Sequence, residues 1–198
     1  MGTVVPFKQQ RTNPYPTRRP MEAKGESSAN YHWLKKYFLT DEEIDANFFY
    51  APISQRHVFA YGEGTEHEYY EARTVGDHKP KTLSYGDKPT IFMGEPDRTL
   101  IVVEDIVSAI RVGRQYGSLP LFGSFLSVGQ MGAIKARGYK DCVIWLDCDK
   151  YNIGMEYAKQ MGMLMPTIAI QTLLDPKCLP DDAILHTIES ALDTWENV

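Results

Sequence analysis

The sequence predicts an α/β protein, with a Rossmann-like, mainly parallel sheet and flanking helices over residues 97–198, preceded by a small α+β unit over residues 29–96. Three observations carry this prediction. Beyond Pro96, short apolar runs alternate with helical stretches, the pattern of a parallel sheet with crossover helices. Between Asn30 and Pro96 the chain is instead crowded with aromatics, from Tyr31, Trp33 and Tyr37 to Tyr85 and Phe92, residues that favour half-buried strands. Finally, 198 residues with 43% apolar and 24% charged content suit one domain or two small ones with a real core, and exclude a fibre or a wholly disordered chain.

In chain order, residues 1–28 are rich in proline, and Lys8, Arg11, Arg18, Arg19 and Lys24 outnumber the acids there, so this stretch is expected to be a flexible basic arm. Asn30 or Ser28 is expected to cap a helix running through Tyr37. Thr40 with Glu43 matches a capping box for a second helix. His57–Tyr61 and Tyr69–Thr74 form an expected hairpin around residues 62–67. In the second unit the expected strands are Thr99–Val103, Leu119–Phe122, Cys142–Leu146 and Thr167–Gln171. The helices lie near 105–116, 127–137, 151–164 and 181–195. The longest apolar stretch, Met161 to Ile170, is about half the roughly 20 residues that span a bilayer, so no membrane segment is expected, and no secretory signal is read.

Composition narrows the chemistry. Twenty-one Lys and Arg against 26 Asp and Glu give a net charge of −5, so a polyanionic partner requires a local basic patch. Cys142, Cys148 and Cys178 form no C-x-x-C pair, which speaks against a zinc site and a disulfide framework and for a reducing, cytoplasmic setting. The five histidines have no metal-ligand spacing. The residues that follow the strands are more informative, because parallel α/β sheets bind ligands beyond the carboxyl ends of their strands.

Acids collect there. Glu104 follows Leu100-Ile101-Val102-Val103, Asp147-Cys148-Asp149 follows Val143-Ile144-Trp145-Leu146, and Asp175-Pro176-Lys177 follows the last strand. Asp147 and Asp149 are two apart and share one side while the chain stays extended. Carboxylates meeting at one sheet edge repel one another and persist ionised only beside a cation. All-oxygen ligands select Mg²⁺ or Mn²⁺, which suits phosphoryl chemistry. Elsewhere, Asp105 is expected to cap the helix after the first strand, Trp145 to be buried, and Met155, Met161, Met163 and Met165 to pack in the core. Gly123, Gly129 and Gly132 are expected to serve turns, with an approach to phosphate as the alternative.

These acidic runs, followed by Gly154, resemble the Toprim domain of primases, topoisomerases and related nucleases. The resemblance implies Glu104, Asp147 and Asp149 as catalytic, metal-binding residues and Asp175 as a further metal ligand. Two departures stand out: Asp105 replaces a usual glycine, and Ser108 replaces a usual aspartate, a pattern similar to phage-borne members. Upstream, Tyr69-Tyr70-Glu71-Ala72-Arg73 and Lys79-Pro80-Lys81-Thr82-Leu83 resemble the arginine and basic segments of the primase subdomain, with Thr82 in place of a usual tyrosine. This implies that Arg73, Lys81, Lys79 and Lys177 contact nucleotide or template phosphates.

The expectation is therefore a metal-dependent, primase-like nucleotidyltransferase making short RNA primers from NTPs on single-stranded DNA in phage-type replication. No G-x-x-x-x-G-K-[ST] motif and no zinc module occur in the sequence, so a separate replicative helicase and a zinc-binding template-recognition module are implied partners. The alternatives are a Toprim nuclease and a non-catalytic replisome adaptor.

Overall fold

The computed structural model describes residues 29–52, 54–62, 68–95 and 98–196. The basic arm, and residues 63–67 of the expected hairpin turn, lie outside the described residues. The first unit opens with helices α1 (Ala29–Lys36) and α2 (Asp41–Asn47) and continues into strands β1 (Phe48–Ala51), β2 (Arg56–Tyr61), β3 (Tyr69–Arg73) and β4 (Thr82–Tyr85). These strands form an antiparallel sheet in the order β1-β2-β3-β4. The Thr40–Glu43 capping box closes the start of α2 reciprocally, each side chain meeting the other's backbone N–H. Asn30 does not cap α1. It lies inside that helix, donating to the Gln55 carbonyl at 3.3 Å and meeting His57 Nδ1 at 3.1 Å.

The second unit comprises β5 (Thr99–Val103), α3 (Ile106–Val112), β6 (Gly117–Pro120), α4 (Val128–Ala136), β7 (Asp141–Trp145), α5 (Tyr151–Gly162), β8 (Thr167–Ala169) and α6 (Asp181–Glu196). Its strands are all parallel, in the order β6-β5-β7-β8. Every residue of β5 and β7 is buried, as expected for central strands covered on both faces. On one face, Leu100, Val102, Cys142 and Ile144 pack with Met131 and Ile134 of α4 and Met161 of α5. On the other, Ile101, Val103, Val143 and Trp145 pack with Ala109 and Val112 of α3 and Ile184 and Ile188 of α6. Trp145 is fully buried and its indole N–H donates to Thr172 at 2.9 Å.

Strand β6 sits two residues earlier than the expected Leu119–Phe122, because Leu121 and Phe122 already belong to the loop that turns toward the first unit. Of the four methionines expected in the core, Met161 and Met165 are buried; Met155 is partly exposed and Met163 is 82% exposed, since the amphipathic α5 and the turn after it carry them to the outer side. Gly129 and Gly132 lie within α4 rather than in a turn.

The two sheets share a core. Leu34, Leu39, Ile44, Phe48, Phe59 and Tyr69 of the first unit pack against Ile106, Val107 and Ile110 of α3 and against Phe122. Phe59 stacks on Phe122 with ring centroids 5.5 Å apart, and Tyr69 tilts against the same ring at 5.0 Å. Met93, ahead of β5, bridges to Ser118 of β6 and covers that sheet edge.

Candidate active site

Where the carboxyl ends of β5 and β7 face β3 and β4 across this seam, a cleft of about 420 Å³ opens. Its wall carries five acids (Glu71, Glu104, Asp105, Asp147 and Asp175) and two basic residues, Arg73 and Lys177, with Tyr37, Thr82 and Gly123 among the rest. Glu104 and Asp147 reach it because the chain leaves β5 and β7 within two residues of the last paired position, and Val103 pairs with Trp145 in register. Asp175 arrives from the loop after β8, held at the start of the 3₁₀ turn Pro176–Cys178.

Glu104 Oε2 and Asp147 Oδ1 are buried and accept no hydrogen bond from the described residues. Burial pushes the Glu104 carboxyl above its ordinary range, opposed by the backbone N–H of Asp147. Burial likewise raises Asp147 to about 7, with Lys177 opposing and Asp175, Glu104 and Asp105 adding repulsion. A dry carboxylate oxygen without a donor is costly unless a proton or cation meets it. Both are carboxylate oxygens, the donor type that hard divalent cations take. Among the described residues no three acidic, histidine or cysteine side chains form a ready-made metal cage. Two carboxylates are nevertheless what Mg²⁺ commonly takes from a protein, with waters and substrate phosphates completing its shell.

Lys177 is placed differently from the expected phosphate contact. Its side chain is only 9% exposed, and the ammonium lies 2.8 Å from Asp105, 2.9 Å from Asp175 and 3.6 Å from Asp147. Burial disfavours its charge, but these carboxylates outweigh that and hold the proton firmly on the amine. Asp105 is the N-cap of α3, as expected, accepting from the Ser108 amide at 3.0 Å and the Ser108 hydroxyl at 3.1 Å. Ser108 thus stands beneath Asp105, fully buried.

Asp149 does not join the cleft. The chain stops being extended at Asp147 and enters a 3₁₀ turn over Cys148–Lys150, which breaks the two-residue alternation that would place Asp147 and Asp149 on one side. Its carboxylate is 67% exposed and paired with Lys150, which lowers its pKa.

On the opposite wall, Arg73 stacks on the Trp33 ring at 4.9 Å and registers against Thr82. Lys79 and Lys81 lie exposed on the segment entering β4, outside the cleft lining. That segment is pinned by Arg56, a buried residue the sequence reading passed over. Its guanidinium donates to the carbonyls of Pro80 at 2.6 Å and Lys81 at 2.9 Å. Glu71 was also missed. It is raised by burial, then by repulsion from Asp105, with Arg73 and Lys88 opposing. Its position two residues before Arg73, on the same side of β3, was the available signal. Gly123 has φ +133°, and a Cβ there would meet the Lys88 ammonium at 2.9 Å, so glycine leaves room for that charge at the cleft wall.

Among solved structures, the Aquifex aeolicus primase, in a crystal structure of its zinc-binding and RNA polymerase domains, superposes with a TM-score of 0.53 at 17% identity over 85% of this chain and 50% of that one. The DnaG catalytic core superposes with a TM-score of 0.50 at 15% identity, over 70% of this chain and 52% of that one. The chain has the fold of a primase catalytic core. It spans about half the length of those two structures. No protein-family model and no curated protein sequence matches it. Within this primase-core fold the cleft lies at the junction of the antiparallel and parallel sheets, and no helix of the described residues is long and apolar enough to cross a membrane.

Proposed function

We propose that this protein is a Toprim-type, metal-dependent nucleotidyltransferase that joins ribonucleotides into short primers on single-stranded DNA, in phage-type replication within the host cytoplasm. The observation that carries the reading is the pair of buried, unpartnered oxygens on Glu104 and Asp147, two residues that line one cleft with Arg73 in a primase-core fold. Glu104 and Asp147 would hold Mg²⁺ or Mn²⁺. When bound, the ion supplies Lewis-acid stabilisation of phosphoryl oxygens and lowers the pKa of a 3′-hydroxyl.

The chain's own groups do the rest. Arg73, its guanidinium held over the Trp33 ring, presents N–H donors to a triphosphate in paired geometry. Lys79 and Lys81, exposed beside it, attract the phosphates of the template strand, and exposed aromatics such as Tyr61 offer stacking surfaces that need no base-specific contacts. Template selection and helicase coupling would be supplied by zinc-binding and helicase modules working with this primase-core unit.

The deciding measurement is primer synthesis from NTPs on single-stranded DNA with Mg²⁺ or Mn²⁺, with and without candidate partner proteins. Oligonucleotides that disappear in the Glu104→Gln and Asp147→Asn variants are the expected result. Metal-dependent cutting of nucleic acid without NTPs would instead select the nuclease.

A further inference from the structure

We propose that Lys177 is a built-in counter-ion that withdraws Asp105 and Asp175 from metal binding, so that the cleft takes one divalent cation, on Glu104 and Asp147. This rests on the metal-dependent reading above and narrows it. Each carboxylate can be followed to its partners. Asp105 accepts the Ser108 amide on Oδ1, and the Ser108 hydroxyl and Lys177 ammonium on Oδ2, so both its oxygens are engaged. Asp175 Oδ2 is taken by the same ammonium at 2.9 Å, which also lies 3.6 Å from Asp147 Oδ2, beyond hydrogen-bond distance. Asp149 is turned out toward Lys150. That leaves Glu104 Oε2 and Asp147 Oδ1, the two buried cleft oxygens with no donor among the described residues.

Lys177 is also fixed in place. The buried Arg111 donates to the carbonyls of Lys177 at 3.3 Å and Leu179 at 2.8 Å and is itself anchored by Asp181 at 2.6 Å. Withdrawing the ammonium would strand Asp105 and Asp175 unpaired in a partly dry cleft, a costly change. A second dication on Asp105 or Asp175 would have to share oxygens that the fixed ammonium already holds at 2.8 and 2.9 Å, which like-charge repulsion opposes, whereas Asp147 meets that ammonium only at 3.6 Å and through its other oxygen. Five acids against two bases on the cleft wall leave an excess that one dication largely neutralises.

The test is a count of bound Mn²⁺ on the full chain, by electron paramagnetic resonance of the free aquo ion and by calorimetry. Wild type is expected to bind one ion, and Asp147→Asn to weaken it at least tenfold. Asp175→Asn is expected to leave the count at one and the affinity within about threefold. Lys177→Met is expected to raise the count to two. Two ions or none on wild type, a Mn²⁺ loss in Asp175→Asn matching that in Asp147→Asn, or a folded Lys177→Met that still binds one ion would each overturn the proposal. Should Lys177→Met fail to fold, wild type and Asp175→Asn decide it. One bound ion with no primer synthesis would instead count against the polymerase reading and leave the counter-ion standing.

Discussion

Arg73 and His57 show how single side chains are committed by their neighbours. Arg73 Cζ sits over the Trp33 ring at 4.9 Å, and the same indole stacks on His57 at 4.9 Å. A lysine at 73 would keep the charge and lose both the stacking and the two-pronged donor geometry. Arg73→Lys is expected to raise the KM for NTP by about tenfold, the equivalent of roughly 1.4 kcal/mol, while leaving the Mn²⁺ count unchanged; steady-state primer synthesis beside the metal titration checks this. His57 is driven down to about 3 by burial, with Arg73 and Arg56 adding to the effect. Its folded pKa lies below its unfolded one, so between about pH 6.5 and pH 3 the unfolded chain binds a proton that the folded chain refuses. Stability therefore falls as pH drops through that window, by up to about 1.4 kcal/mol per pH unit from this residue. Denaturant midpoints of wild type and His57→Gln should converge as pH falls from 7 to 4. Glu104, Asp147 and Asp175 were legible as residues that follow strands. The burial of Lys177 was not, because a lysine after Asp-Pro looks the same in sequence whether it faces solvent or three carboxylates.

At the level of elements, local chemistry was the more readable part. The Thr40–Glu43 box and the Asp105 cap are spelled out by spacing alone, and both stand in the structure. Thr40→Ala should cost about 1 kcal/mol of unfolding free energy, measurable by urea titration. The antiparallel sheet was harder to delimit. Strand β4 is exposed along Thr82–Ser84, so no alternation announces it, and what holds the segment before it is Arg56 reaching across from β2. Arg56→Met would remove the guanidinium donors from the carbonyls of Ala72, Pro80 and Lys81. Amide exchange at Thr74, whose N–H donates to the Lys81 carbonyl, should then accelerate at least tenfold, while amides of β5 keep their protection.

Across the whole molecule, the boundary near residue 97 suggested by the change of pattern is bridged by packing that no local signal encodes. Phe59 and Tyr69 meet Phe122 of the other unit, so the antiparallel sheet and the parallel sheet are expected to unfold in a single transition. Phe59→Ala should lower stability by about 3–5 kcal/mol and be felt in both sheets at once, read by comparing tryptophan fluorescence with far-ultraviolet circular dichroism. The parallel sheet and its flanking helices followed from strand–helix alternation, because parallel neighbours need crossover connections; the strand order β6-β5-β7-β8 did not. Because Arg73 and Glu104 are delivered by different sheets, the apolar seam works as an alignment gauge: a slip of a fraction of an ångström between the slabs would detune the distance from guanidinium to carboxylate without disturbing either slab internally.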